Sequence, residues 1–361
     1  MKKKKYVLSF MLFIVLFLAT YLWIFKYYDV NMLIKSLRLC NLKYILLAVL
    51  SILMFPLFEA IFLISISKDM GIKMSLYKAL GYVFTEIYFS GITPSSMGGQ
   101  PIQMYEMKRD GINYYESSII VLLNTIIYKF TLVFLLILSL IFYGKLIFNF
   151  SSVFNVLIIL GFLLNLVVIL FFISLVYSKR MVCFTKKMVY FFINRFGFIK
   201  NKELKKKRFD IMVDKYNDLS NFTKDRPFIF VKSFIILLLQ RISFLLVSYF
   251  IYRSFGLNDY SIFLIIAFQV CIVIAADFLP TPGGVMVLEG IILSVNELLY
   301  KSDYVLSSML LQRSISFYLL ILLSFAFYLI FNYNKKRVKG EEKNEKEYSL
   351  CNTRILYGTC G

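Results

Sequence analysis

Three basic side chains stand in strongly apolar stretches: Lys129 in NTIIYKFTLVF (124–134), Arg241 in FIILLLQRISFLL (234–246) and Arg313 in SSMLLQRSISFYLL (307–320). A charge at the centre of a lipid-spanning helix costs roughly 2.5–3.5 kcal/mol on insertion scales, so each should face a polar cavity and a partner. The carboxylates available in comparable surroundings are Glu59, Glu86, Asp277 and Glu289. They can serve simply as partners of the cations, and Glu86, Asp277 and Glu289 can also carry protons. A carboxylate partner can in turn be exchanged for an incoming phosphate.

Two punctuated stretches could complete such a site. TPSSMGGQPIQMYE (93–106) and LPTPGGVMVLEG (279–290) each run Thr-Pro, then Gly-Gly, then an apolar turn or two ending in glutamate. Their candidate ligand-binding residues are Thr93, Pro94, Gly98, Gly99, Gln100, Pro101 and Glu106 in the first, and Thr281, Pro282, Gly283, Gly284 and Glu289 in the second, beside Lys129, Arg241 and Arg313. Proline and glycine interrupt helices, and within a bilayer such backbone survives only where protein or water satisfies its freed polar groups. Pro101 suits a first helical position, which predicts one helix starting near Gln100 and a second near Val285. Helix N-termini present unpaired N–H groups and partial positive charge, and adjacent glycines let an anion approach the backbone. Paired Gly/Pro-interrupted segments in the two halves of a chain point to a transporter substrate site. Two kinked helices packed through small residues, without a ligand, also fit the pattern.

Other chemistries are poorly served. The chain has no histidine, and its five cysteines (Cys40, Cys183, Cys271, Cys351, Cys360) show no CxxC spacing. That removes the commonest metal ligand and the usual general base, so no catalytic residue, metal or cofactor is expected.

The elements that must hold these residues are membrane helices. Hydrophobic residues make up 60% of the chain, with 38 Phe and a mean hydropathy of +0.74, which makes lipid the solvent for most of it. A span needs about 20 apolar residues. Candidates fall at 6–25, 42–66, 116–142, 153–178, 228–252, 261–279 and 304–332. Shorter stretches at 79–92 and 285–299 carry Glu86 or Glu289 with Glu297 and read as re-entrant or broken. The expected fold is an all-α polytopic helical bundle of about seven full spans plus two broken helices in an inverted-repeat-like arrangement. MKKKK and the apolar run after it read as a retained signal anchor, because the run is long and no small-x-small cleavage site closes it.

Lys and Arg total 41 against 21 Asp and Glu, a net charge of +20. The excess lies at the N-terminus, in 179–226 and in the KKR at 335–337, which predicts a multi-pass cell-membrane protein with both termini cytoplasmic. Lysines and arginines in 26–43 fit that orientation less well. In 205–222, Phe209, Met212, Tyr216 and Leu219 recur at helical spacing. Such an amphipathic helix suits an anionic bilayer surface or, equally, a solvated position closing one end of the bundle. Nucleic acid is not an expected partner, since the positive-inside rule already accounts for the basic connection. Residues 1–335 read as one transmembrane domain and 336–361 as a disordered tail.

PSSMGGQPIQMYEMKRDGI (94–112), NTIIYKFTLV (124–133), FLPTPGGVMVLEG (278–290) and Arg313 together resemble a flippase-like membrane family. That family shares its fold with the transmembrane part of lysylphosphatidylglycerol synthase (multiple peptide resistance factor), and the resemblance spans residues 1–335. It implies a helical bundle with two re-entrant elements and a lipid substrate with an anionic or aminoacylated headgroup. In the full-length synthases a separate domain aminoacylates phosphatidylglycerol and the membrane part moves the product between leaflets. Only about 30 polar residues follow the last span here, too few for a transferase domain. A transporter of phospholipid or polyprenyl-phosphate lipid is therefore expected. The alternatives are lysyltransferase-type lipid modification with a separate catalytic domain, and a scaffold recruiting a partner lipid-modifying enzyme through 179–226.

Overall fold

The computed structural model describes residues 37–93, 96, 98–177, 179–195, 227–277 and 287–335, with Ile34, Glu203, Lys206 and Asp210. Pro94, Thr281, Pro282, Gly283 and Gly284, the span expected at 6–25, most of the helix expected over 205–222 and the tail lie outside the described residues. The described residues form helices joined by turns, without strands. The all-α membrane bundle inferred from the sequence is the architecture found.

In chain order the helices are α1 (Leu42–Asp69), α2 (Leu76–Ile92), α3 (Gly99–Arg109), α4 (Tyr114–Phe148) and α5 (Ser152–Tyr177). They continue with α6 (Lys179–Arg195), α7 (Pro227–Ser254), α8 (Ile262–Ala276), α9 (Val287–Leu299) and α10 (Ser302–Lys335). Among the described residues α1, α4, α5, α7 and α10 are long and apolar enough to cross a membrane. The stretch 261–279, which reads as a full span, is instead the 15-residue helix α8. At 1.5 Å per residue it reaches about 22 Å, short of a hydrocarbon core of about 30 Å. It stops before FLPTP, where each proline disfavours helix in the residue ahead of it.

Local chemistry sets several ends. Asn41, Ser75 and Ser261 accept from the backbone N–H of Lys43 (3.0 Å), Lys78 (3.4 Å) and Leu264 (3.3 Å), capping α1, α2 and α8. The Asn113 N–H donates to Glu116 Oε2 at 3.1 Å at the start of α4. Thr93 ties off the first break: its hydroxyl donates to the Phe89 carbonyl (2.7 Å) and accepts from the Gly98 N–H (2.9 Å). Helix α3 then starts at Gly99, so Pro101 occupies the third helical position rather than the first. The cost is the same, because the first four N–H groups of a helix lack intrahelical partners.

Helix α8 lies at the centre, with Phe268, Val270, Cys271, Ile274 and Ala275 fully buried. It packs against α4, α5, α7 and α9, as an all-round apolar helix must. At Gly161 of α5 a methyl group would lie 2.2 Å from the Ile274 carbonyl oxygen, so only glycine allows this approach of α5 to α8. Within α10, a π-helical stretch at Ser314–Leu319 directly follows Arg313.

The basic connection contains a helix that its composition did not announce, α6. Phe184, Met188 and Phe191 are exposed and follow one another at spacings of four and three, an apolar stripe along the helix. Asp210 accepts from the Tyr190 hydroxyl and pairs with Lys186 at 3.1 Å.

Candidate functional site

A cavity of about 520 Å³ opens between α1, α2, α4, α7, α8, α9 and α10, a volume in the range of small-ligand pockets. Its polar wall is built from mid-helix residues. α1 contributes Glu59; α2 contributes Glu86 and Ser90; α4 contributes Asn124, Thr125, Tyr128 and Lys129; and α7 contributes Gln240 and Arg241. Asp277 follows α8, and Gln312 and Arg313 come from α10.

Glu59 is almost fully buried and accepts from Gln240 Nε2 (2.8 Å) and Asn124 Nδ2 (3.1 Å). Ser90 Oγ donates to Glu86 Oε1 at 2.8 Å, and Gln312 Nε2 donates to Gln269 Oε1 at 2.8 Å. Gln100 Nε2 donates to Thr125 Oγ1 at 2.9 Å, joining the start of α3 to α4.

The three cations are held in different ways. Arg313 Nε donates to Glu289 Oε1 at 2.7 Å, across α10 and the first turn of α9. Lys129 Nζ pairs with Asp277. Arg241 makes no ion pair among the described residues; its guanidinium lies 3.9 Å from the Tyr128 ring centroid and 5.1 Å from that of Phe55. Its Nε has no hydrogen-bond partner among them, while Glu59 and Glu86 lie within electrostatic reach. A guanidinium over an aromatic face is attracted by the ring quadrupole and keeps its donors for another group.

Of the residues singled out in the sequence, the structure places Gln100, Lys129, Arg241 and Arg313 on the cavity, with Glu289 beside Arg313. Gly98 and Gly99 hold helices together. A methyl group at Gly99 would lie 2.1 Å from Ser90 Oγ and 2.5 Å from the Glu86 carbonyl oxygen, and one at Gly98 would meet Thr93 at 2.5 Å. Glu86 Oε1 would lie 3.0 Å from the same methyl group at Gly99, so a carboxylate of the chain itself stands at the α3 N-terminus. Glu106 is not brought to the cavity. It pairs with Arg109 (2.6 Å) and Lys335 (2.9 Å), and Lys335 also reaches Asp110 at 2.7 Å.

Sequence reasoning did not single out Ser90, Asn124, Thr125, Tyr128 and Gln269. A signal existed for three of them: Asn124, Thr125, Tyr128 and Lys129 share one face of an otherwise apolar span.

Fold and cavity define a polytopic α-helical membrane protein in which broken helices border an internal polar site. The family profile of the lysylphosphatidylglycerol synthase transmembrane region matches residues 7–324, and the chain belongs to this family. It is thus a multi-pass membrane protein related to lipid modification or transport. No curated protein matches it.

Proposed function

We propose that the protein moves a lipid with an anionic headgroup between bilayer leaflets. The observation that carries this reading is Arg241, an intramembrane guanidinium facing the cavity with an unpartnered Nε and no carboxylate in ion-pair contact among the described residues. A charge held at that depth with carboxylates in electrostatic reach but none in contact is costly, and a phosphate entering the cavity would supply acceptors in direct contact with it. Arg313 and Lys129 lie in the same wall and can exchange their carboxylate partners for phosphate oxygens. The acyl chains would stay in the bilayer while one half of the bundle rocks against the other, as in transporters built on paired broken helices. The basic segments would face the cytoplasm.

Reconstitution into vesicles carrying headgroup-labelled phosphatidylglycerol, or a labelled polyprenyl phosphate, tests this. Leaflet exchange above that of protein-free vesicles, lost in Arg241→Ala, is the expected result. No exchange with any anionic lipid would sink the proposal.

A further inference from the structure

Four carboxylates (Glu59, Glu86, Asp277 and Glu289) share the intramembrane site with three cations (Lys129, Arg241 and Arg313). Two cations are committed, Lys129 to Asp277 and Arg313 to Glu289. Among the described residues that leaves Arg241 to balance both Glu59 and Glu86, which line the same cavity. The helix ends do not remove the mismatch. At the α2–α3 junction a C-terminal partial negative charge lies near an N-terminal positive one. The segments 94–97 and 278–286, which complete the breaks, contain no Asp, Glu, Lys or Arg. Among the described residues one negative charge therefore stays uncompensated, in a setting that penalises it strongly.

A second observation points to the same corner. Gln240 is 2% exposed and lines the cavity; its Nε2 donates to Glu59, and its Oε1 is a buried acceptor without a partner among the described residues. Two carboxylates and an idle amide oxygen form a set of oxygen acceptors with too few positive groups to satisfy it.

We propose that Glu59 and Glu86 form a binding site for one exchangeable monovalent cation, a proton or an alkali ion, in the cavity. If the cation is a proton, hydronium delivers it to a carboxylate oxygen, an O–H bond forms and water leaves. If it is an alkali ion, the carboxylates and Gln240 Oε1 coordinate it. The charged and titratable groups facing the pair are Tyr128 and Lys129 from α4, Arg241 from α7, Asp277 after α8, Glu289 from α9 and Arg313 from α10. The site stands whether or not the chain moves lipid, because it rests on the charges of the described residues and on Gln240 rather than on any lipid contact.

Infrared spectroscopy of the full chain in uncharged lipid, at neutral pH with either sodium or choline as the only bulk cation, tests the proposal without measuring transport. A proton site gives a protonated-carboxyl band in both media, lost in Glu59→Gln or Glu86→Gln. An alkali site gives that band in choline and suppresses it in sodium. Arg241→Gln is an independent check: removing the resident charge should double the number of cations held, and with it the band in choline. The absence of a protonated-carboxyl band in both media, or a band indifferent to all three substitutions, would overturn the proposal.

Discussion

Arg313 Nε and Glu289 Oε1 lie 2.7 Å apart, with side chains only 5% and 1% exposed, and this contact couples the last span to the first turn of α9. Removing one member of such a pair strands the other charge in an apolar interior, which costs about 3–5 kcal/mol, whereas replacing both together costs far less. Glu289→Ala and Arg313→Met should each lower unfolding stability by that amount in detergent, and the double variant should recover most of it. Additive losses in a double-mutant cycle would show that the two are not coupled.

Tyr128 should matter for its ring more than its hydroxyl. Its centroid lies 3.9 Å from the Arg241 guanidinium, a contact worth about 2 kcal/mol when desolvated. Tyr128→Phe is expected to bind anionic lipid headgroup like the parent, and Tyr128→Leu about 30-fold more weakly, as read by titration with a short-chain phospholipid.

The glycines divide into two kinds. Gly99→Ala puts a methyl group 2.5 Å from the Glu86 carbonyl oxygen, and overpacking against backbone costs about 1–3 kcal/mol. Gly290→Ala, in helix α9 with nothing within 4 Å, should be neutral or more stable by up to about 1 kcal/mol. Thermal unfolding of the two variants side by side checks the contrast.

Lys335 reaches both Glu106 (2.9 Å) and Asp110 (2.7 Å) with its side chain 10% exposed, so it closes one end of the bundle between α3 and α10. Lys335→Met should destabilise by about 1–3 kcal/mol, because two largely buried carboxylates lose an ionised donor. Lys335→Arg should retain most of the stability. Hydrogen exchange at the C-terminal end of α3 reports the difference.

At Asp210 the Tyr190 hydroxyl, and then Lys186, hold the carboxyl below its ordinary range. The sign follows from linkage: this contact stabilises the folded connection above the usual Asp range, near pH 4, and is lost as pH falls through the lowered value. Proteolysis between 179 and 226 should therefore accelerate under acid conditions in the parent. In Asp210→Asn it should already be fast at neutral pH and change less on acidification.

The sequence carried the elements more fully than their contacts. Period and length located the long helices, and the Thr-Pro and Gly-Gly signal at 93–99 located the break between α2 and α3, because helix punctuation is written in single residues. Which carboxylate meets which cation depends on the rotation of seven helices about their axes, and an all-round apolar helix such as α8 leaves no stripe to set that rotation. Four carboxylates were evident as partners for the cations, yet the pairing of Arg313 with Glu289 and Lys129 with Asp277, and the isolation of Arg241, needed the fold. Glu106 shows the limit of motif symmetry. It occupies the position that Glu289 holds in the second motif, but α3 carries it away from the cavity to Lys335.

The π-helical stretch after Arg313 gives α10 a spare residue. The polar cavity-lining residues of α10, Gln312, Arg313 and Ser316, lie at or before this wide turn, and Phe317, Leu320 and Ile321 continue the lining through and past it. Beyond it, Tyr328 meets Tyr88 and Phe89, and Phe331 meets Gly81. Deleting one residue between 314 and 319 would let the turn tighten into ordinary α-helix while keeping the downstream face close to its present direction, because a π-turn holds one more residue in about the same rotation. The aromatic contacts on α2 would then keep their seats, whereas the same deletion in the regular helix beyond Leu319 would rotate everything downstream by about 100°.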